Sequence, residues 1–293
     1  MEKIKITCDS TCDLSREMYE KHHIEVLPLA ITLGEEVYRD DVNITTQGVF
    51  DYVDKTGTLP KTSAFSMAEY IDAFKKYTDE GYTVIHINLS SGFSSCHQNA
   101  KLAAEELGNV YAIDSKNLST GSGHLALAAA EMVEEGLPAA EIVARLEEMK
   151  ERLDVSFVLQ TLNYLKKGGR CSGITALAAT ALQLRPEIVV VDGTMKVGKK
   201  YRGSMEKSIT DYVKGRLEGR EDIQHNRIFI THSYVPDETV DKVKALVAEL
   251  QPFAEIIETK AGCTISCHCG PVERFLLSMA YTLPNSSAAS LAF

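Results

Sequence analysis

The sequence has no segment dense in lysine and arginine, and no apolar run of the roughly 18 residues that a membrane-spanning helix needs. Its net charge of −10, without a basic stripe, disfavours a nucleic-acid backbone or an anionic membrane surface as the main partner. The amino end, Met1 to Ile6, has no apolar signal core and leads directly into an alternating strand pattern. We therefore expect a cytoplasmic protein that does not bind nucleic acid.

Motifs that bind nucleotides are also missing. Neither G-x-x-x-x-G-K-[ST] nor G-x-G-x-x-G occurs where a strand would lead into a helix, which disfavours a kinase or a nucleotide-binding protein. The seven cysteines are odd in number and form no short secreted framework, so we expect reduced thiols and no structural disulfide. None of them forms a C-x2-C knuckle, the spacing typical of structural zinc sites.

What the sequence does contain is an alternation of short β-rich runs with amphipathic helical segments. Such alternation predicts βαβ units, and 293 residues are enough for two domains. We predict an α/β fold whose N-terminal domain, residues 1–154, has a mostly parallel sheet flanked by helices. Residues 155–293 are predicted to form a C-terminal α/β domain with a mixed sheet. The predicted strands are Ile4–Cys8, Glu25–Leu33, Thr83–Leu89, Val110–Ile113, Val155–Gln160, Glu187–Val191, Arg227–Thr231 and Glu255–Thr259.

Loops rich in hydroxyl and carboxylate side chains follow three of the N-terminal strands, at residues 8–11, 90–95 and 114–115. In open α/β sheets, ligands bind outside the carboxyl ends of the strands, so these loops define a candidate site. Ser94 or Ser95 is suited to cap a helix beginning near Cys96, whose free N–H groups and partial positive charge would attract an anionic oxygen. A purely structural N-cap explains the same serines, and both interpretations stay open.

Two hydroxyls and two arginines are further candidates. Thr62 and Ser63 lie in a predicted loop, where either one could equally cap the next helix or form a turn. Arg170 and Arg202 stand near glycines in predicted loops. Exposed arginine usually faces solvent, but its planar guanidinium also suits bidentate contact with a carboxylate or phosphate of a partner.

The segment 262–271 contains His268 among Cys263, Cys267 and Cys269. This composition suggests a zinc or redox site, but the spacing lacks two separated ligand pairs, so no metal is predicted. In an extended conformation, His268 would point away from Cys267 and Cys269 and would be available for another role. A hydrogen bond in a half-buried turn would explain the histidine as well.

Seven short motifs, taken together, resemble the DegV family. Each is common on its own, whereas their order and spacing from residue 4 to about residue 271 are specific. The motifs are Asp9-Ser10-Thr11-Cys12-Asp13-Leu14, Tyr38-Arg39-Asp40, Pro60-Lys61-Thr62-Ser63, Ser90-Ser91-Gly92-Phe93-Ser94-Ser95, Ile113-Asp114-Ser115, Leu165-Lys166-Lys167-Gly168-Gly169-Arg170 and His268-Cys269-Gly270-Pro271.

The resemblance implies a two-domain protein that buries one long-chain fatty acid, such as palmitate, in a tunnel between its domains. It implies a carrier without catalytic activity or cofactor, which presents the acid to a separate ATP-dependent fatty acid kinase and can contact membranes transiently. Arg170 and Arg202 would then face the kinase. The residues that would bind the fatty acid carboxylate are Thr62, Ser63, Ser94, Ser95 and His268.

The sequence departs from the family's usual pattern around the histidine. Ser266 and Val272 stand where the family usually has glycine, and Cys269 stands where threonine is usual. The tail, Glu273 to Phe293, is longer than the family's glycine-rich ending and unlike it, so its packing against the site is left open.

The alternative from another class is a serine hydrolase or acyltransferase. It would use Ser94 as the nucleophile, His268 as the base and an acid such as Asp114. No G-x-S-x-G nucleophile elbow is present, which disfavours this interpretation.

Overall fold

The structure is a computed structural model that describes residues 2–169, 184–270 and 274–282. The chain divides into two units. Unit 1 comprises Met1–Lys150 with Gly262–Cys267, and unit 2 comprises Glu151–Ala261 with His268–Phe293. The segment 262–267 therefore belongs with the amino-terminal unit, which a single predicted boundary after residue 154 did not anticipate.

The predicted parallel sheet forms the centre of unit 1. The sheet has four strands in the order β2-β1-β6-β7, and every pair is parallel, which confirms the predicted fold of this half. The β1 strand lies inside the sheet, so its carboxyl end is flanked by those of β2 and β6. The strands of unit 1 are Ile4–Asp9 (β1), Glu25–Leu27 (β2), Ala30–Leu33 (β3), Glu36–Arg39 (β4), Lys61–Ser63 (β5), Thr83–Asn88 (β6) and Val110–Asp114 (β7).

Helices of unit 1 cover this sheet with apolar faces. On α3 and α4, the side chains of Tyr70, Phe74, Ala100 and Ala103 form one buried cluster with Val84 of β6. Burial of such side chains is the main favourable term that holds helix and sheet together. The helices are Arg16–Lys21 (α1), Thr46–Thr56 (α2), Met67–Thr78 (α3), Cys96–Leu107 (α4), Thr120–Glu134 (α5) and Ala139–Lys150 (α6).

A second, antiparallel sheet in unit 1 has the strand order β4-β3-β5. The single strand predicted over Glu25–Leu33 is wrong, because the run splits at Pro28 and β3 joins this smaller sheet. Proline has no N–H for the ladder, so a central strand does not continue through it. The predicted loop around Thr62 is also wrong, since Lys61–Ser63 form β5, and the cap of α3 is Ser66 in a capping box with Glu69.

Unit 2 contains the predicted mixed sheet. Its strand order is β10-β9-β8-β13-β11-β12, with β11 and β12 parallel and the other pairs antiparallel. Strands β10 and β13 were not among the predicted strands. A tight turn at Asp192-Gly193, both with positive φ, connects β9 to β10. The strands are Leu153–Leu159 (β8), Leu184–Val191 (β9), Thr194–Arg202 (β10), Arg227–Ser233 (β11), Glu255–Lys260 (β12) and Arg274–Ala280 (β13).

Four more helices complete the described part of the chain. Residues Met205–Leu217 and Asp237–Leu250 pack their buried faces on the mixed sheet, with Tyr212, Val213 and Val243 in the cluster that includes Phe275 of β13. Within the described residues, no helix is long and apolar enough to cross a membrane. The helices are Asn163–Gly168 (α7), Met205–Leu217 (α8), Asp237–Leu250 (α9) and Cys263–Cys269 (α10).

Candidate functional site

Asp9 ends β1 at the carboxyl edge of the parallel sheet, and its buried carboxylate joins three elements. Its Oδ1 accepts a hydrogen bond from the Tyr70 hydroxyl (2.8 Å) and lies 3.2 Å from Nε2 of His86. Its Oδ2 accepts from the backbone N–H of Leu89 (2.9 Å) and from Nδ2 of Asn88 (3.3 Å). A buried carboxylate requires such donors. The network therefore fixes the point at which the chain leaves β6 for the serine-rich loop.

The loop Ser90–Ser95 leads from β6 into α4, as the sequence predicts. Of the two candidate caps, Ser94 has the contact: its Oγ accepts a hydrogen bond from the backbone N–H of Cys96 (3.3 Å) and donates to the Cys96 Sγ (3.1 Å). Ser95 is the residue before the helix, and its side chain makes no capping bond. Both hydroxyls lie at the amino end of α4, where Ser94 is half-buried and Ser95 is exposed.

Asp114 holds this loop from the neighbouring strand. Its carboxylate accepts hydrogen bonds from the Ser91 hydroxyl (2.5 Å), the Ser91 N–H (3.2 Å) and the Lys116 N–H (2.9 Å). Burial disfavours the charged form of Asp114, but these hydrogen bonds outweigh that cost and lower its pKa below the ordinary value. Asp114 therefore acts as an anchor for the loop, and its oxygens contact Ser91 rather than Ser94.

Thr62 and Ser63 lie on β5, an edge strand of the small sheet that pairs with its central strand, β3. Thr62 is half-buried and pairs with Ile31, whereas Ser63 is exposed. A hydrogen bond of 2.6 Å from Asn99 Nδ2 to the Phe65 carbonyl ties the first turn of α4 to the segment just after β5. Unit 1 thus holds four of the predicted hydroxyl side chains, Thr62 and Ser63 on β5 and Ser94 and Ser95 before α4. The hydrogen bond from Asn99 joins the two segments.

The cysteine-rich segment is the helix α10 and not an extended strand. In a helix, Cys267, His268 and Cys269 point in three directions, so the expected separation of His268 from the two cysteines does not apply. The backbone N–H groups of residues 262–264 donate to the carboxylates of Asp13 and Asp40. These two aspartates stand in the first two family motifs, but sequence reasoning assigned them no role, because their partners are more than 200 residues away.

His268 lies near the end of α10 and is half-buried. The next turn of chain is constrained by Gly270, whose φ is +83°. A Cβ atom at this position would lie 2.3 Å from the Tyr164 ring, so Tyr164 of α7 packs directly on the glycine backbone. The structure thereby explains the glycine in the His268-Cys269-Gly270-Pro271 motif by a close approach within unit 2.

The candidate metal ligands form a different group from the one that the sequence suggests. Among the described residues, Asp40, Asp41 and Cys263 place ligand atoms within 4.8 Å of one another. The Cys263 thiol donates to Asp41 Oδ1 (3.2 Å), and burial together with the charges of Asp41 and Asp40 raises the pKa of this thiol. The thiol is therefore protonated near neutral pH, and the group is accounted for by hydrogen bonds. Cys267 packs in an apolar cluster with Ile31.

Of the two candidate arginines, one is described. Arg202 is the exposed last residue of β10, so the prediction that it lies in a loop is wrong. Arg170 lies outside the described residues, as does Val272.

This fold defines an α/β protein of two units, with a parallel sheet in one and a mixed sheet in the other. Its first unit presents hydroxyl groups at the carboxyl edge of the parallel sheet and at the amino end of a helix. The chain belongs to the DegV family, since the family model described as "Uncharacterised protein, DegV family" matches residues 3–273. A DegV domain-containing protein of Clostridium perfringens is 33% identical over 275 residues, which are 92% of this chain and 96% of that protein.

Two solved structures are similar to this chain in fold. The first is described as showing fatty acid binding of a DegV family protein from Thermus thermophilus. It has a TM-score of 0.84 and 28% identity, and the match covers 95% of this chain and 99% of that one. The second is described as a stearic-acid-binding protein from Eubacterium ventriosum, with a TM-score of 0.81 and 27% identity over 96% of this chain and 98% of that one.

Proposed function

We propose that this chain binds one long-chain fatty acid by its carboxylate and presents it to an ATP-dependent fatty acid kinase without transforming it. The observation that carries the proposal is the match along nearly the whole chain to solved structures of proteins described as binding a fatty acid. The geometry of unit 1 supports it, because hydroxyl groups gather where an α/β sheet usually binds its ligand.

The proposed carboxylate contacts are Thr62 and Ser63 on β5, Ser94 and Ser95 before α4, and His268 on α10. Hydroxyl groups and the partial positive charge at the start of α4 stabilise an anionic oxygen without a permanent cation. A buried arginine would bind the carboxylate more strongly through two charge-assisted hydrogen bonds. A carrier must release its cargo, and the weaker set of donors suits that requirement.

The acyl chain supplies most of the driving force in this proposal. Burial of apolar surface contributes about 0.8 kcal/mol per CH₂ group, so a palmitate tail offers on the order of 10 kcal/mol before costs. Lost translational freedom and ordering of the chain offset a large part of that sum. The head group then decides which end of the ligand is held and which class of lipid is accepted.

The geometry gives less support to a serine hydrolase. A nucleophilic serine needs a base within hydrogen-bonding reach, and that base needs an orienting acid. The Ser94 hydroxyl donates to the Cys96 thiol, and Asp114 is bonded to Ser91, so neither residue is arranged for its role in a triad. We therefore propose a carrier with no catalytic role for Ser94.

Native mass spectrometry of the chain purified from bacteria tests the proposal. The expected result is a complex of one chain with one fatty acid, which delipidation removes and added palmitate restores. Protein that is consistently empty and takes up neither palmitate nor oleate would contradict fatty acid binding. Turnover of acyl esters that disappears in Ser94→Ala would contradict the carrier and revive the hydrolase.

A further inference from the structure

Three consecutive backbone N–H groups at the start of α10 donate to two carboxylates from distant parts of the sequence. Gly262 N–H donates to Asp13 Oδ1 (2.9 Å), Cys263 N–H to Asp40 Oδ1 (3.0 Å) and Thr264 N–H to Asp40 Oδ2 (3.2 Å). The first turn of a helix leaves its N–H groups without intrahelical partners. We call this pair of aspartates with residues 262–264 the carboxylate clamp.

The two carboxylates are themselves held in place. Asp13 is 4% exposed and Asp40 is 2% exposed. The Ser119 hydroxyl donates to Asp13 Oδ2 (2.5 Å), and the Ser10 hydroxyl donates to Asp40 Oδ2 (2.8 Å). The backbone N–H of Leu29 in turn donates to the Ser10 hydroxyl (3.2 Å). Each clamp carboxylate therefore has a defined position in unit 1 that does not depend on its bonds to α10.

The sequence of α10 alone does not favour a helix. It has seven residues, and its sequence, CTISCHC, consists of residues with low helix propensity. Isolated helices of this length are unstable in water. Two negative charges at the amino end satisfy the free N–H groups and interact favourably with the helix dipole. The clamp thus determines where α10 begins and in which direction it runs.

We propose that Asp13 and Asp40 are positioning residues for His268, which lies near the carboxyl end of the same helix. The inference rests on the proposed function, in which the imidazole binds the fatty acid carboxylate. It gives a role to two sequence motifs, Asp9-Ser10-Thr11-Cys12-Asp13-Leu14 and Tyr38-Arg39-Asp40, that contribute no group of their own to the proposed carboxylate contacts. Asp13 and Asp40 act through the backbone of α10 and do not touch the ligand.

Asp41 is the matched control for Asp40. It is the next residue and carries the same charge, but it is exposed, and its Oδ1 accepts from the Cys263 thiol and not from a backbone N–H. Its φ of +55° is a conformation that asparagine tolerates well. Asp41→Asn therefore removes a neighbouring charge and leaves the clamp intact.

The test compares Asp40→Asn with Asp41→Asn in the full chain. An asparagine side chain has one acceptor oxygen, so it cannot accept from both Cys263 and Thr264 with its two terminal atoms. In Asp40→Asn we expect amide hydrogen exchange of a peptide containing residues 262–264 to be at least tenfold faster, and palmitate to bind at least tenfold more weakly. In Asp41→Asn we expect both quantities to stay within a factor of two of the unmodified chain.

A double-mutant cycle with His268→Ala separates positioning from general stability. If Asp40 acts through His268, adding Asp40→Asn to His268→Ala should weaken palmitate binding by less than a factor of two. Ser10→Ala, which removes one donor to the Asp40 carboxylate, provides a milder variant if Asp40→Asn does not fold. Its expected effects are faster exchange of the same peptide and an intermediate loss of affinity.

Faster exchange with unchanged palmitate affinity would overturn the positioning role, and so would a full tenfold loss from Asp40→Asn in the His268→Ala background. A failure of the proposed function shows itself separately, as an unmodified chain that takes up no palmitate. That result would overturn the positioning role together with the proposed function. Unchanged exchange in both Asp40→Asn and Ser10→Ala would overturn the clamp itself.

Discussion

At the scale of single residues, buried hydrogen-bonded polar groups hold the carboxyl edge of the parallel sheet of unit 1 in place. Asp9 and Tyr70 are the centre of one such group, and both are 0% exposed. Burial and the neighbouring Asp9 charge raise the pKa of the Tyr70 phenol well above its ordinary value, so it remains a hydrogen-bond donor. A donor lost from such a network leaves a buried carboxylate oxygen poorly satisfied, which is costly.

Tyr70→Phe tests this network. The change removes the donor to Asp9 Oδ1 and the acceptor for Asn88 Nδ2, and we expect the free energy of unfolding to fall by about 2 kcal/mol. Urea denaturation measures the difference. The control is Tyr38→Phe, which removes a hydroxyl that donates to Glu36 at the surface and should leave the unfolding midpoint unchanged. Equal effects of the two changes would contradict the account.

Gly270 provides a second test at this scale. Gly270→Ala combines a left-handed backbone with a Cβ atom placed 2.3 Å from the Tyr164 ring, and we expect a loss of about 3 kcal/mol in unfolding free energy. Gly219, also in unit 2, has a φ of +67° but nothing within 4 Å of an added Cβ. Gly219→Ala should therefore cost only about 1 kcal/mol. Similar losses in both variants would show that the Tyr164 contact is unimportant.

The sequence predicts a cap at Ser94 or Ser95, because a serine before an amphipathic run is a local signal. It does not reveal the roles of Asp13 and Asp40, since these depend on partners that become neighbours only in the folded chain. The same limit applies to Gly270, where a side chain would clash with Tyr164 on another element.

At the scale of elements, two acids hold the start of the serine-rich loop in place. Asp9 binds Leu89 before the loop, and Asp114 binds Ser91 within it. Because the pKa of Asp114 is lowered in the folded state, its contribution to stability is present above the ordinary carboxyl pKa of about 3.9 and is lost as the pH falls through the lowered value.

Asp114→Asn should show this pH dependence. At pH 7 we expect its unfolding free energy to be about 1 kcal/mol below that of the unmodified chain, because three charge-assisted hydrogen bonds are weakened. At a pH below the lowered pKa of Asp114, both side chains are neutral and the difference should vanish. Asp79→Asn, which removes an exposed i, i+4 partner of Lys75, serves as the control with little effect at either pH. A deficit that is the same at both pH values would contradict the assignment.

Elements with strong periodic patterns are predicted well, and the others are not. The parallel strands β1, β6 and β7 follow from β-rich runs that alternate with helices. The β5 strand is a three-residue polar segment without a pattern, and β13 is buried throughout, so it shows no alternation. Helix α10 contradicts its own residue preferences, because carboxylates from other parts of unit 1 stabilise its start.

At the scale of the whole molecule, the α/β alternation predicts both the parallel and the mixed sheet. It does not predict that residues 262–267 return to unit 1, because that depends on tertiary hydrogen bonds to Asp13 and Asp40. This return bears on the proposed function. His268, which is proposed to bind the carboxylate, directly follows the segment of unit 1 at residues 262–267.

Presentation of the bound acid to a kinase is a prediction about the whole protein. Arg202→Ala should leave palmitate affinity unchanged and lower the rate at which a purified fatty acid kinase phosphorylates the bound acid by at least tenfold, since arginine suits contact with a partner's carboxylate or phosphate groups. Arg16→Ala, which removes a highly exposed arginine from unit 1, is the control and should leave both unchanged. A loss of palmitate binding in Arg202→Ala would place that residue in the lipid site instead.

The central claim is that the protein holds a fatty acid by its carboxylate, and equilibrium binding of palmitate and of 1-hexadecanol to the delipidated chain tests it most directly. The two ligands have the same number of carbon atoms and differ in the head group. We predict that palmitate binds at least tenfold more tightly and that Ser94→Ala reduces this difference. Equal affinities for the acid and the alcohol, or a preference that Ser94→Ala leaves intact, would contradict the account.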